Sequence, residues 1–184
     1  SMDFDGTSDL IDLGRPSGIN LMPGVDAFSI SAWFKTSAHG AIYSFGASSS
    51  SSNTQIKIAI RSGDFLPEIV LRGTATTIGS TTYNDGDWHN IVLSCTTSVA
   101  TLYIDGSSVG NPTIGTATIT STANAAIGAI NAPTGGLFFN GSIDAVSIFN
   151  YAVSTGQVTT LYGSSSIGTG NSMALSPKPQ AYYQ

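Results

Sequence analysis

The sequence predicts an all-β chain folded as an antiparallel two-sheet β-sandwich of the jelly-roll kind. Three observations carry that prediction. Phe28-Ser29-Ile30-Ser31-Ala32-Trp33-Phe34-Lys35 alternates strictly, with Phe28, Ile30, Ala32 and Phe34 on one face, the period of a strand with one buried side. Short strand-like runs recur at spacings near ten residues, each bounded by turn residues, as in a sandwich. Finally, Asn84-Asp85-Gly86-Asp87-Trp88-His89-Asn90-Ile91-Val92-Leu93 and Thr101-Leu102-Tyr103-Ile104-Asp105-Gly106 read as a hairpin between Asp-Gly turns. Asp and Gly tolerate the positive φ that tight hairpins need.

Taken in order, residues 9–13 give a first strand and 28–35 a second. Runs at 41–45, 55–61, 68–72 and 76–80 follow, and then the hairpin, with Trp88 expected to anchor a sheet interior. A polar break at Thr96-Thr97-Ser98 returns the chain along 99–104. Later candidates are 109–110, 118–120, 126–129 and 141–151. Helical spacing is confined to 154–162, where Val153, Val158, Leu161 and Tyr162 make one short apolar stripe. Residues 47–53 form a serine-rich loop tip, and 163–172 a Gly/Ser linker. The expected organisation is one domain over residues 1–162, with 163–184 as linker and start of a following segment. Ser1-Met2 reads as a cloning remnant.

Composition narrows the function classes. The 184 residues are 41% hydrophobic but only 9% charged, with 21 glycines, a balance that is neither disordered nor collagenous. The net charge is −5, and the six Lys and Arg are scattered at 15, 35, 57, 61, 72 and 178. Nucleic-acid binding is therefore not expected, because no basic stripe exists to neutralise phosphates. No apolar run approaches the roughly 20 residues of a membrane span, so membrane insertion is not expected either. Cys95 is the sole cysteine; it permits no intrachain disulfide and reads as a small buried hydrophobe. Its solitude tilts the source toward bacteria or their viruses.

Five segments, in order, resemble the laminin-G-like branch of the concanavalin A-like lectin/glucanase superfamily. They are Phe4-Asp5-Gly6-Thr7-Ser8-Asp9, the alternating run from Phe28 to Lys35, and Asp85-Gly86-Asp87-Trp88-His89-Asn90-Ile91-Val92. Leu102-Tyr103-Ile104-Asp105-Gly106 and the run from Phe139 through Asp144 to Asn150 complete the series. The resemblance covers residues 3 to about 162 and implies two antiparallel sheets packed face to face, one of them concave. Related folds often hold a structural calcium where the first and last strands run side by side. That likeness implies Asp5, Gly6 and Asp144 as candidate calcium ligands.

Catalysis is not expected. Glycoside hydrolysis needs two carboxyl groups across the scissile bond, and the enzymes of this superfamily place two glutamates around an aspartate on one strand. Here Glu68 is the only glutamate, and the ten aspartates sit mostly at turns or near the N-terminus. His89 reads as a packing and hydrogen-bonding residue, and His39 as a solvated loop histidine. Asn140-Gly141-Ser142 matches a glycosylation acceptor by chance. Glycan binding needs aromatic faces with nearby amides, for which Tyr43, Phe65, Tyr83 and Asn131 are the candidate ligand-binding residues. The expected function is a non-catalytic carbohydrate-binding or adhesion module of a larger extracellular, cell-surface or virion protein. Its partners would be a glycan or another protein, besides neighbouring domains of the same polypeptide. A purely structural assembly domain of a phage or viral structural protein is the alternative, and a glycoside hydrolase a remote one.

Overall fold

The computed structural model describes residues 1–15, 21–48, 50–132, 134–163 and 170–184. Its strands are β1 (Met2–Asp5), β2 (Ile11–Gly14), β3 (Phe28–Thr36), β4 (Gly40–Phe45), β5 (Ile56–Ile60), β6 (Pro67–Leu71) and β7 (Thr74–Thr77). They continue with β8 (Trp88–Cys95), β9 (Ala100–Ile104), β10 (Ser107–Gly110), β11 (Ala125–Ile127), β12 (Asn140–Phe149) and β13 (Ala181–Tyr183), and one helix, α1 (Thr155–Tyr162), follows β12. One sheet runs β1-β12-β3-β8-β9-β10, with β13 also on β12; the other runs β2-β11-β4-β5-β6-β7. All pairings are antiparallel. This is the expected jelly-roll sandwich.

The core is built by the alternation seen in the sequence. Phe28, Ile30, Ala32 and Phe34 of β3 face Ile56, Ile58 and Ile60 of β5 within one buried cluster that also takes Ile91, Leu93 and Cys95 of β8. Each fully buried large side chain contributes roughly 1.5–3 kcal/mol. Cys95 is fully buried, as expected, and burial pushes its thiol up to about 12. Two glycines allow the close approaches. Gly141 (φ +140°) meets the Lys35 carbonyl, and Gly128 (φ +81°) meets the Phe4 ring; a Cβ at either place would collide.

The outward face of the seven-stranded sheet is not bare. Val92 of β8 and Phe149 of β12 lie under Val158 and Leu161 of α1, with Val153 and Leu175 beside them. Beneath the connection to α1, the Ser29 hydroxyl donates to the Tyr151 carbonyl (2.9 Å) and accepts from the Val153 amide (2.9 Å). Ser94 donates to the Val153 carbonyl (3.0 Å). α1 itself starts with a capping box: Ser154 accepts from the Gln157 amide, and Gln157 reaches back to the Ser154 amide.

Three segments differ from the sequence expectation. Residues 118–120 form no strand, because the Thr120 and Ser121 amides donate to Asn53 Oδ1 instead of to a ladder. β1 was not anticipated, since only Met2 and Phe4 mark it, and it gains its ladder from β12. Most of the expected linker, residues 164–169, lies outside the described residues. Beyond it, β13 pairs with Val146–Ile148 of β12.

Candidate functional site

The strand directions gather six connections at one end of the sandwich: β1–β2, β3–β4, β5–β6, β7–β8, β9–β10 and β11–β12. Phe65, Tyr83, Asn131, Asp5 and Gly6 all belong to this end. They do not converge there. Phe65 (φ +54°) sits in the β5–β6 turn, partly packed against the core. Asn131 (φ +58°) closes its own turn by donating to Thr134 Oγ1 at 2.8 Å. Tyr83 lines a shallow cavity of about 190 Å³ with Ile78, Gly79, Ser80, Thr81 and Val109. Tyr43 is a correction: it is 0% exposed in the core, and its hydroxyl has no partner. The register shift between Ala41 and Tyr43 turns its ring inward, so it presents no face to a ligand.

The residues implied for calcium also separate. Asp5 pairs with Asn140 across β1 and β12, so Asp144 lies four residues further along the strand, roughly 13 Å away at 3.3 Å per residue. The Asp5 carboxylate is occupied by its own loop. It accepts from the amides of Thr7, Ser8 and Asp9 and from the hydroxyls of Thr7 and Ser8, at 2.7–3.1 Å. These hydrogen bonds, the Ser8 amide foremost, hold its pKa well below the usual carboxylate range. Gly6 (φ +76°) makes the turn and packs on Asn140. Asp5, Gly6 and Asp144 therefore do not fit a single cation. Among the described residues, no three His, Cys, Asp or Glu side chains come together to hold a metal.

His89 is held between two carboxylates. Its Nδ1 is 2.7 Å from Asp105 Oδ2 and its Nε2 3.1 Å from Asp85 Oδ1. Burial opposes the imidazolium, but the two aspartates outweigh it and raise the pKa. The Tyr83 ring meets the imidazole edge-on, centroids 5.1 Å apart, and Phe34 lies on another side at 5.6 Å. The cluster ties the β7–β8 loop, β8 and the β9–β10 turn together.

A cavity of about 210 Å³ opens on the outward face of the seven-stranded sheet. Its lining includes Ser1, Trp33, Trp88, Asp144, Ala145, Gly170, Tyr182 and Gln184. Trp33 stands opposite Asp144 across β3 and β12, and Trp88 opposite Lys35 across β8 and β3. Directly opposed residues carry Cβ atoms about 5 Å apart, so the indole of Trp33 and the Asp144 carboxylate are neighbours. The register of β12 slips between Asp144 and Ser147, and Ala145 adopts φ +50°. Bulges of this kind re-aim a side chain. Trp88, opposite the exposed Lys35 in an unbroken β3–β8 ladder, also faces outward and is only half-buried, contrary to its expected place inside the sheet. The parity of β3 carried a signal for Trp33, since the residues around it with even numbers all point inward.

The lone glutamate is engaged elsewhere. Glu68 pairs with Lys57 on the six-stranded sheet, and both side chains are largely buried. Among the described residues lining the outer cavity, Asp144 carries the only side-chain carboxylate.

A two-sheet antiparallel jelly roll carrying an aromatic surface cavity has the architecture of a lectin-like domain. Residues 5–159 match the laminin-G-type profile of the concanavalin A-like lectin/glucanases superfamily, and the chain belongs to that superfamily. A comparison with curated protein sequences gives no match. Among solved structures, it is similar to a Bacteroides ovatus protein to which carbohydrate binding is ascribed (TM-score 0.70, 15% identity, 99% of this chain and 50% of that one). It also resembles a heptameric SAP-like pentraxin of Limulus polyphemus (TM-score 0.59, 18% identity, 88% and 80%). The NanB sialidase of Streptococcus pneumoniae is a third (TM-score 0.61, 19% identity, 94% and 28%). The chain spans half the length of the Bacteroides protein and 28% of the sialidase. At these identities the likeness is one of fold. Among the described residues, no helix is long and apolar enough to cross a membrane.

Proposed function

We propose that this domain is a non-catalytic carbohydrate-binding or adhesion module of a larger extracellular, cell-surface or virion protein. The observation that carries this reading is the outer cavity, where the half-buried indole of Trp88 adjoins Trp33, Tyr182, Asp144 and Gln184. Sugars are held by aromatic faces against their C–H surfaces and by a few placed polar groups for their hydroxyls, and the lining supplies both. Glycoside hydrolysis by the usual route needs two opposed carboxyl groups. The cavity offers Asp144 alone, and Glu68 is committed to Lys57.

The test is a glycan array on the isolated chain, with and without calcium, followed by calorimetry on the best ligand. Binding that is lost in Trp88→Ala, with the melting midpoint preserved, supports the reading. No binding at millimolar sugar in either condition overturns it and leaves the assembly-domain alternative standing.

A further inference from the structure

We propose that the outer cavity selects amino sugars with a free ammonium group, which is placed on Asp144 between the rings of Trp33, Trp88 and Tyr182. This specificity rests on the carbohydrate-binding reading above and sharpens it. Among the described lining residues no side chain is Lys, Arg or His, Asp144 carries the one side-chain carboxylate, and the cation already facing it is the Ser1 amino group. Asp144 Oδ1 accepts from the Ala145 amide at 2.7 Å, which fixes the carboxylate. Among the described residues, the other oxygen, Oδ2, meets the Ser1 amino group alone, at the long distance of 3.6 Å. Burial raises the Tyr182 phenol pKa, and the nearby Asp144 carboxylate adds to the rise.

Aromatic rings around a carboxylate recognise an organic cation twice over. The ring faces are negative and attract it, and the carboxylate forms a charge-assisted hydrogen bond with it. A neutral hydroxyl obtains neither benefit in full. The volume, about 210 Å³, is below the roughly 300–1,000 Å³ of pockets for drug-sized ligands, which suits one sugar ring rather than a long chain in a groove. Lys35, opposite Trp88, is exposed on the same sheet face but is not part of the lining. The chain's net charge of −5 adds a general attraction for cations.

The experiment compares β-1,4-linked glucosamine oligomers with their N-acetylated and plain glucose counterparts by calorimetry near pH 6, using the wild-type chain, Asp144→Asn and Trp88→Ala. The expected result is a preference of about tenfold or more for the free amine, the equivalent of 1.4 kcal/mol. That preference shrinks as salt rises and vanishes in Asp144→Asn, while Trp88→Ala weakens all three ligands. A wild-type chain that binds acetylated or plain oligomers as tightly as the amine overturns the specificity and leaves the carbohydrate reading intact. No binding of any oligomer, together with a blank glycan array, removes both. Circular dichroism and melting of each variant separate loss of contact from loss of fold. Unchanged amine preference in a folded Asp144→Asn also overturns the assignment.

Discussion

Trp33 and Tyr162 stack with ring centroids 5.8 Å apart and planes inclined by only 15°. The pair joins the last residue of α1 to the middle of β3, and the Tyr162 ring also lies over Gly106, 3.1 Å from where a Cβ would stand. It holds the helix on the sheet and closes one side of the Trp33 indole. Tyr162→Ala is expected to cost about 2 kcal/mol in urea unfolding and to shift tryptophan emission to the red. Tyr162→Phe keeps the stack and should stay within about 0.5 kcal/mol of wild type. Equal losses in the two variants would contradict this account.

Ser29 is a second attachment point. Its hydroxyl is fully buried and serves both the Tyr151 carbonyl and the Val153 amide. Ser29→Ala leaves those two backbone groups short of a partner in a site sealed from water, so a loss of roughly 2–3 kcal/mol is expected. Equilibrium urea unfolding measures it, and a neutral result would mean that water replaces the hydroxyl.

The His89 clamp gives a pH dependence of definite sign. Its folded pKa is raised above an unfolded value of about 6.5. The native chain therefore binds the proton more tightly than the unfolded one. The resulting stabilisation is complete below pH 6.5 and disappears as pH rises through the folded pKa. Comparing unfolding at pH 5.5 and pH 8.5, wild type should lose on the order of 1 kcal/mol relative to His89→Gln. The groups that face the imidazole are Asp85, Asp105, Tyr83 and Phe34. Parallel pH profiles for the two proteins would rule the clamp out as the source.

Asp5 offers a separation of turn chemistry from metal chemistry. Its carboxylate holds three amides and two hydroxyls of residues 7–9. Asp5→Ala is expected to lower the melting midpoint to the same extent in calcium and after chelation. A metal ligand behaves differently: the variant would then lose stability only when calcium is present.

Tyr43→Phe should be neutral or slightly stabilising in the same assays. It removes a buried hydroxyl that has no hydrogen-bond partner and leaves the ring in place.

What the sequence revealed follows from periodicity. β3 and the β8–β9 hairpin were legible because the apolar residues of β3 and β9 alternate and Asp-Gly turns bracket the hairpin on either side. The helix was legible from Val158 and Leu161. Parity fails where the ladder slips. Tyr43 shares odd numbering with the outward Ala41, yet the bulge between them turns it inward. Asp144 faces outward although Val146 and Ile148, of the same parity, point into the core, because the ladder slips between them. The cavity was hidden for a related reason: Trp33 and Asp144 are 111 positions apart in sequence and meet only through the register of β3 and β12. Tyr182 reaches them from a strand whose three residues carry no pattern of their own.

The position of β12 has a consequence for how the chain reaches its native state. β1 pairs with residues 140–143 and β3 with residues 141–149 of the same strand. Both early strands must wait for more than a hundred further residues before their partner exists. At a synthesis rate of about 5–20 residues per second, β1 spends several seconds to half a minute with an open edge during translation. Such distant pairings also put the domain among slow folders, on the millisecond-to-second scale typical of all-β sandwiches. The interval is one in which edge pairing with another chain competes with the correct fold, so yield on expression should respond strongly to temperature and to chaperones.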